Sequence, residues 1–295
     1  MDNWSTKKLI IENARPDGES LVIPYIKIKG TGPKIAIVGT QHGDEFFSIA
    51  IINKFLKSNF STDADLTIFP LANPSAFNIS NRRSPIDNQD MNRNWSGKKE
   101  GTLTSRMCYQ IFRIIKNCDY VLDLHNANKN IRDAPQLRVH ESNREKTQNL
   151  CKYLGIDFFI NHSDVRHTLV EEMQKLNKTA VCIEIGEGKR IDSFYLNKGV
   201  QIIKKFILYA TDPTVARTKT KHIDEETIKK IHAPKSGIFI PNEKFLGEKT
   251  KIMGTFINIA DLKDEKITLK KDHKVLSLCV GGVVSKGDLI ARVVE

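Results

Sequence analysis

Between about residue 20 and residue 211, short apolar runs alternate with longer amphipathic runs, and this alternation restricts the fold more than any other feature. Four apolar runs are typical of buried strands: KIAIVG, DLTIFPL, DYVLDLH and TAVCIEIG. Four longer runs have helical spacing: FFSIAIINKFLKS, TLTSRMCYQIFRIIKN (with Thr102 or Thr104 as its N-cap), SNREKTQNLCKYLG and SFYLNKGVQIIKKFILYA. Alternating strands and helices predict an α/β fold with helices on both faces of a sheet. The N-terminal segment adds one or two edge strands, with a turn at Arg15–Gly18.

The pattern changes after about Asp212. From Ala233 onward, short β-branched segments are separated by glycines, and two stretches repeat one order of glycine, strand, Gly-Glu or Gly-Asp turn, and strand: SGIFIPNEKFLGEKTKIMG and GGVVSKGDLIARVV. This pattern predicts a smaller all-β domain built from hairpins. We therefore expect two domains, an α/β domain at residues 1–212 and a C-terminal β domain at residues 213–295.

The sequence offers no signal for a membrane or for export. No apolar run approaches the roughly 18 residues that span a bilayer, and the N-terminal segment lacks an apolar stretch long enough for the core of a signal peptide. The five cysteines are scattered, which suits a reduced compartment better than a disulfide framework. We expect a cytoplasmic protein without a membrane partner; the sequence does not indicate its oligomeric state.

The chain is basic, with a formal net charge of +11. Its basic residues are spread along the sequence, and the densest cluster, Arg217 to His222, has no interleaved aromatic residues. A solvated surface therefore fits this pattern better than nucleic-acid binding. The positive charge favours a small acidic substrate.

Three candidate metal ligands follow or end predicted strands. His42 and Glu45 follow the KIAIVG strand, and His125 ends the DYVLDLH strand. Ligands bind at the carboxyl ends of strands in open α/β sheets, so these side chains can meet. Two histidines and a glutamate leave a fourth position open, which is the ligand set of a catalytic zinc site. Each motif alone is more often an ordinary helix start or strand end than a metal site. Asp123 lies on the same side of its strand as His125 and is a candidate to orient it.

A long polar segment, Asn73 to Trp95, separates these elements. Connections of this length without secondary structure are usually functional. The segment carries Arg82, Arg83 and Arg93, whose guanidinium groups can hold a carboxylate in a bidentate manner or stabilise an oxyanion. The alternative is that these arginines only form salt bridges to the acidic residues of the same loop.

Together these motifs resemble a known family. The elements HxxE, NPxA, DxNRNW, DLH and IEIG, in this order and spacing, are similar to those of the zinc carboxypeptidase superfamily, and most closely to its succinylglutamate desuccinylase/aspartoacylase branch. The resemblance covers nearly the whole chain and implies a carboxypeptidase-like mixed sheet flanked by helices, followed by a smaller C-terminal all-β domain. Each motif alone is weak, whereas five in order are specific.

The resemblance implies a role for several residues. His42, Glu45 and His125 match the ligands of one Zn²⁺ ion per chain. Glu184 matches the carboxylate that activates the catalytic water and returns its proton to the leaving amine. Glu187 is the obvious rival, but only Glu184 has the E-x-G position of the family.

The substrate contacts are implied in the same way. Asn92 and Arg93 match the pair that binds the carboxylate of the substrate. The arginine that polarises the scissile carbonyl is Arg82 if residues are counted from the start of the loop and Arg83 if they are counted back from Asn92. Family members often place a tyrosine near the substrate, in some from the C-terminal domain, but this chain has no tyrosine after Tyr209.

The function implied is zinc-dependent hydrolysis of the amide bond in an N-acyl amino acid, or in a short peptide with a free carboxylate, by the domain at residues 1–212. A metallocarboxypeptidase that trims peptides or cell-wall fragments is the alternative enzyme. A carrier or binding protein is the alternative outside enzymes, since the C-terminal repeat resembles biotin- and lipoyl-carrier domains, although Lys251 to Met253 is a poor match to their modified lysine. The acyl pocket is expected from loops at Asn126–Arg138 and Asn161–His167, which offer three arginines: Arg132, Arg138 and Arg166.

Overall fold

The structure is a computed structural model that describes residues 4–128, 130–140, 144–162, 165–188, 190–216, 218 and 220–295. Its α/β part contains eight strands and seven helices in this order: β1 (Ser5–Ile11), β2 (Leu21–Ile28), β3 (Lys34–Gly39), α1 (Phe47–Leu56), β4 (Asp65–Phe69), α2 (Pro74–Phe77), α3 (Leu103–Ile115), β5 (Tyr120–Ala127), β6 (Ile131–His140), α4 (Arg144–Thr147), α5 (Leu150–Leu154), β7 (Phe158–His162), α6 (Leu169–Lys175), β8 (Thr179–Glu187) and α7 (Ser193–Thr211). A 3-10 turn at Met91–Arg93 lies in the long loop before α3.

The rest of the described chain is built from strands and 3-10 turns, as predicted. The strands are β9 (Ile223–Asp224), β10 (Lys229–His232), β11 (Gly237–Pro241), β12 (Lys249–Ile257), β13 (Asp264–Cys279), β14 (Gly282–Val284) and β15 (Leu289–Val294). The 3-10 turns lie at Pro213–Val215, Glu225–Thr227 and Glu243–Phe245.

One mixed sheet organises the molecule. Its strand order is β1-β2-β4-β3-β5-β8-β6-β13-β12-β11-β14, with the other four strands paired off this path. Strands β4, β3, β5 and β8 run parallel, so their carboxyl ends lie at the same edge. The predicted N-terminal hairpin, β1 with β2, is antiparallel and completes one side.

Helices cover both faces of the parallel part, which confirms the predicted fold class. Alternate side chains of β3 point to opposite faces: Ile35 and Ile37 pack in one apolar cluster with helices α1, α5 and α7, and Ala36 and Val38 pack in the other with helices α3 and α6. All four side chains are fully buried. Helix α3 begins after Thr102, whose hydroxyl accepts a hydrogen bond from the backbone N–H of Ser105, so Thr102 rather than Thr104 is its N-cap.

Four segments differ from their predicted structure. The segment Asn73–Trp95, predicted without secondary structure, contains α2 and the 3-10 turn at Met91–Arg93. The loop predicted at Asn161–His167 begins within β7, and its residues 163 and 164 lie outside the described part of the chain. The segment Asn126–Arg138, predicted as a loop, contains most of β6, which pairs with β8, β7 and β13. The single helix predicted for SNREKTQNLCKYLG is two short helices, α4 and α5, while its first two residues lie outside the described part of the chain. Helix α5 ends at Leu154, and its C-cap residue Gly155 has a left-handed backbone conformation that favours glycine (φ = 72°).

Two further features of the structure concern the length of its helices and the state of its cysteines. None of the described helices is long and apolar enough to cross a bilayer. All five cysteines are unpaired thiols, and four of them are buried.

Candidate metal centre and active site

The loop between β3 and α1 carries two of the predicted metal ligands and depends on a glycine. His42 and Glu45 are almost fully buried in this loop, and the N–H of Gly43 between them donates to the carbonyl oxygen of Asn81 at 2.8 Å. A Cβ atom on Gly43 would overlap the carbonyl group of Ala76. Only glycine therefore lets the loop pack close enough to α2 to turn both side chains toward the same point.

The third predicted ligand meets them from β5. The Nδ1 atoms of His42 and His125 each lie 2.7 Å from a carboxylate oxygen of Glu45, one on Oε1 and the other on Oε2. Donor atoms of the three residues all lie within 4.8 Å of one another. The structure thus brings together, across some 80 residues of sequence, the three side chains that the motifs single out.

The outer nitrogen of each imidazole faces an acidic residue. His42 Nε2 lies 3.0 Å from Asp90 Oδ1, and His125 Nε2 lies 3.2 Å from Asp123 Oδ1. Both Nδ1 atoms therefore face Glu45. A metal-binding histidine usually has its other ring nitrogen hydrogen-bonded to a carboxylate in this way. Asp123 therefore has the orienting position expected of it.

Gln41 and Trp95 complete this support and were not singled out by the sequence motifs. The side-chain amide of Gln41 donates to Asp123 Oδ1, and its carbonyl oxygen accepts a hydrogen bond from the indole N–H of Trp95 at 2.7 Å. The only available signal was position, since Gln41 precedes the first ligand and Trp95 ends the NRNW motif.

The electrostatics of the cluster suit a cation. Burial alone would raise the pKa of Glu45, but the charges and hydrogen bonds of His42 and His125 hold it well below its ordinary value. Burial would lower the pKa of His125, but Asp123 and Glu45 raise it well above its ordinary value. A cluster that holds protons so strongly at its imidazoles is a site where positive charge is stabilised. Its donor set and spacing fit Zn²⁺.

A cavity of about 270 Å³ opens above this cluster. Six of the eight predicted site residues line it: His42, Arg82, Asn92, Arg93, His125 and Glu184. Glu45 lies buried beneath it. Arg83 is not among the lining residues; it points to the carbonyl oxygen of Asn88.

Arg82 contacts the cluster directly. Its Nε donates to Asp90 Oδ2 at 3.0 Å, and its Nη1 lies 3.6 Å from Glu45 Oε1 and 3.4 Å from His42 Nδ1. A guanidinium in this position can meet the oxygen of a carbonyl that lies beside the three ligands.

Asn92 lies beside His125, and Arg93 follows it in the chain. Asn92 Nδ2 is 3.3 Å from His125 Nε2, and Asn92 Oδ1 accepts a hydrogen bond from the backbone N–H of Leu169 at the start of α6. Arg93 is anchored through Nη1 to the carbonyl oxygen of Asn92 at 2.6 Å. Both residues line the cavity, where the Arg93 guanidinium can bind a carboxylate.

The two rival glutamates of β8 have different surroundings. Glu184 lines the cavity, where burial raises its pKa to about 7, an effect opposed by Arg138 and His125. Glu187 is buried in an ion pair with Arg132 Nε at 2.8 Å and does not line the cavity. Of the two, only Glu184 is placed to exchange a proton with a group in the cavity.

The three arginines expected at the acyl pocket are separated. Arg138 lines the cavity from β6. Arg132, on the same strand, instead bridges Glu187 and Glu243. Arg166 lies outside the cavity lining, with Nη1 3.5 Å from Glu171.

The C-terminal part contributes a charged residue to the cavity. Glu225, in the 3-10 turn after β9, is among its lining residues, and no tyrosine is among the described lining residues. Sequence reasoning did not single out Glu225, because it is one of three consecutive acidic residues, Asp224–Glu226, that belong to no recognised motif.

Comparisons with known proteins agree with this architecture. Residues 31–210 match the family model described as the succinylglutamate desuccinylase/aspartoacylase catalytic domain. The chain is 29% identical over 191 residues to the N-alpha-acetyl-L-2,4-diaminobutyric acid deacetylase of Halomonas elongata; the match covers 61% of this chain and 56% of that protein. This chain therefore spans little more than half the length of that relative.

Solved structures share the fold. A succinylglutamate desuccinylase/aspartoacylase from Rhodobacter sphaeroides superposes with a TM-score of 0.79 at 20% identity, covering 100% of this chain and 96% of that one. The product-bound ectoine utilization protein EutE (DoeB) from Ruegeria pomeroyi gives 0.79 at 19% identity with the same coverage. A metallocarboxypeptidase from Burkholderia cenocepacia is more distant, with a TM-score of 0.54 at 14% identity over 70% of this chain and 65% of that one.

Proposed function

This chain belongs to the succinylglutamate desuccinylase/aspartoacylase family, and from that premise we propose that it is a zinc-dependent deacylase. Its substrate is a small N-acyl amino acid with a free carboxylate, and the bond hydrolysed is the amide. The observation that carries the proposal is the convergence of His42, Glu45 and His125 beneath a cavity that also exposes Glu184 and Arg82. That combination supplies a cation site, a base and an oxyanion partner within one small volume.

The residues divide the chemistry among them. His42, Glu45 and His125 would hold the zinc ion, which when bound would supply Lewis acidity and lower the pKa of a water molecule. Glu184 takes a proton from the attacking water and returns it to the leaving amine, which its cavity position and raised pKa both suit. Arg82 donates hydrogen bonds to the oxyanion that develops on the former carbonyl oxygen.

Substrate orientation falls to Asn92 and Arg93. The guanidinium of Arg93 can bind a carboxylate through two parallel hydrogen bonds. Asn92 contacts both residues: its backbone carbonyl oxygen accepts a hydrogen bond from Arg93, and its side-chain amide lies beside His125. Holding the carboxylate there fixes the distance from the amide to Glu184, so a substrate without the carboxylate loses its alignment.

The size of the cavity favours a small substrate. About 270 Å³ is below the roughly 300–1,000 Å³ of typical ligand pockets, so it suits an N-acyl amino acid better than a longer peptide or a cell-wall fragment. The named activity of the Halomonas elongata relative, deacetylation of an N-acetylated amino acid, points the same way. The fold likeness to a metallocarboxypeptidase concerns architecture alone.

A substrate screen tests the proposal. Purified protein supplied with zinc is incubated with N-acetyl and N-succinyl derivatives of a range of amino acids, and release of the free amine is measured. Each positive substrate is repeated as its methyl ester, which we expect to be cleaved much more slowly because Arg93 loses its partner. No amine release from any derivative would reject the deacylase, and equal rates for acid and ester would reject the carboxylate site.

Metal content is measured on the same preparations. We expect about one zinc per chain, because the three donors form a single site with one open position. The variants His42→Ala and His125→Ala should lose most of it. A full zinc content in both variants would show that the ion binds elsewhere.

A further inference from the structure

Arg138 and Glu184 line the same cavity from the neighbouring strands β6 and β8. In the antiparallel pairing of β6 with β8, Gln136 is opposite Glu184 and Arg138 is opposite Cys182. Positions two residues apart on a strand share a face, so Arg138 is the diagonal neighbour of Glu184. Diagonal partners of this kind lie within reach of a long side chain, and both residues line the cavity.

The same face also carries a metal ligand. In the parallel pairing of β5 with β8, His125 is opposite Glu184. Glu184 is therefore flanked by His125 on one strand and by the Gln136–Arg138 strand on the other. A carboxylate between these two neighbours has a cationic group on the side away from the metal centre.

Gln136 fixes the orientation of the Arg138 guanidinium. Its Nε and Nη2 both donate to Gln136 Oε1, at 3.2 and 2.8 Å. Gln136 is fully buried, and its Nε2 donates to the carbonyl oxygen of Leu276 in β13 at 3.3 Å. The orientation of Arg138 thus depends on a glutamine fixed by the C-terminal strands.

Charge and burial agree with this arrangement. Among the acidic groups that raise the pKa of Arg138, Glu184 has the largest effect, followed by Asp133. An arginine placed on a central strand is costly to bury unless it is paired, so its presence on this face needs a partner of opposite charge. Two of these acidic groups, Glu184 and Glu225, also line the cavity, and Glu184 has the larger effect on Arg138.

We propose that Arg138 is a positioning residue for Glu184. Its guanidinium, oriented by Gln136, holds the Glu184 carboxylate in place on the cavity floor and so keeps it aligned with the bound amide. A planar fork can face Gln136 and Glu184 at once, which a lysine cannot reproduce. The inference rests on the proposed deacylase function, since alignment matters only if Glu184 is the base.

The test compares kcat and KM of Arg138→Met with the native enzyme on a substrate found in the screen. We expect kcat to fall by about tenfold or more, because misalignment of a catalytic group by about 1 Å is costly, while KM changes little. A large rise in KM at unchanged kcat would show that Arg138 binds substrate and would overturn the proposal.

A double-mutant cycle identifies the residue through which Arg138 acts. If it acts through Glu184, Arg138→Met should cost far less in the Glu184→Gln background than in the native one. Equal costs in the two backgrounds would overturn the proposal. A native enzyme without amine release on any substrate is a different failure, that of the deacylase function itself.

Chemical rescue separates this role from a purely structural one. Guanidinium ion, at concentrations far below those that denature, should restore part of the activity of Arg138→Ala. It should not change the activity of Arg132→Met, which removes an arginine of the same strand that pairs outside the cavity. Absence of rescue in a folded, zinc-replete Arg138→Ala protein would count against the proposal.

A second variant serves if the Arg138 variants do not fold. Gln136→Met keeps the volume of the buried side chain and removes the acceptor that orients the guanidinium. We expect a smaller fall in kcat with KM unchanged. Native kcat in this variant would overturn the claim that Gln136 sets the orientation of Arg138.

Discussion

Glu184 and Glu187 show how far two glutamates on one strand can differ. Glu184 lines the cavity, and Glu187 forms an ion pair with Arg132. Removal of a general base typically costs 100- to 10,000-fold, so we predict roughly that loss of kcat for Glu184→Gln. The zinc content should stay near native because Glu184 is not a ligand.

The matched control is Glu187→Gln, which weakens a buried ion pair and leaves the cavity intact. We expect a lower melting temperature with kcat close to native. Both variants are measured on one substrate for kcat and for zinc. An active Glu184→Gln beside an inactive Glu187→Gln would identify Glu187 as the base.

A second prediction at this scale concerns pH. In the metal-free protein, burial raises the pKa of Glu184 to about 7, whereas in the unfolded chain it takes its ordinary value. Between the two values the folded state holds a proton that the unfolded state has lost, so this group reduces stability as pH rises through that window. Glu184→Gln removes the penalty.

The measurement is thermal unfolding of chelator-treated protein at about pH 5 and about pH 8. At each pH, the melting temperature of the native chain is subtracted from that of Glu184→Gln. We expect this difference to be larger at about pH 8 than at about pH 5. A difference independent of pH would refute the raised pKa. A bound divalent cation should diminish the effect, because it favours the charged carboxylate.

The sequence could identify site residues where a motif specifies the residue type and its position. It could not do so where the role of a residue depends on the direction in which its side chain points. The positions of His42, Glu45 and His125 at strand ends made them candidates to meet, and the family resemblance implied that they share one metal ion. Counting could not separate Arg82 from Arg83, since neighbouring residues in a loop point in directions that depend on its turns. In the structure, Arg82 lines the cavity and donates a hydrogen bond to Asp90, whereas Arg83 lies outside the cavity lining and donates to the carbonyl oxygen of Asn88.

At the scale of elements, the parallel strands were predicted closely because they are buried on both faces and nearly all apolar. Strand β3 has its predicted limits, Lys34–Gly39. Strand β6 was missed because its polar side chains face the cavity and the C-terminal strands, which hides its periodicity. Pro135 also lies within it, at a shift in the pairing with β8 between Asp133 and Gln136.

The loop between β3 and α1 supports a prediction about a single element. Gly43→Ala forces a methyl group against the backbone of Ala76, so the loop or α2 must move. We expect the variant to lose stability, by about 1–3 kcal/mol if the misfit resembles overpacking of a core, together with part of its zinc, because His42 and Glu45 flank the glycine. Thermal unfolding and elemental analysis measure both. A variant with native stability and native zinc would show that the loop does not depend on this contact.

At the scale of the whole molecule, the C-terminal strands continue the sheet of the first part. Strand β13 pairs with β6 through Ser277–Cys279, and Arg132 in β6 binds Glu243. A small apolar cluster is shared: Ala134, Phe158 and Ile160 from the first part pack with Leu276 and Val294. The division at residues 212 and 213 was predicted from a change of pattern, which marks where the composition changes but carries no information about contacts across it.

We propose that residues 1–212 and 213–295 are two domains that depend on each other for catalysis, and this leads to a last prediction. A fragment ending at residue 212 loses the strand that pairs with Ile131–Asp133 of β6 and that binds Gln136. It also exposes the apolar side chains of Phe158 and Ile160. We expect it to melt at a lower temperature than the whole chain and to have a much lower kcat, although it retains the three proposed zinc ligands. Co-expression with residues 213–295 should restore part of both. A fragment as stable and as active as the whole chain would show that the α/β domain works alone and would remove the structural basis for the positioning of Arg138 from the C-terminal side.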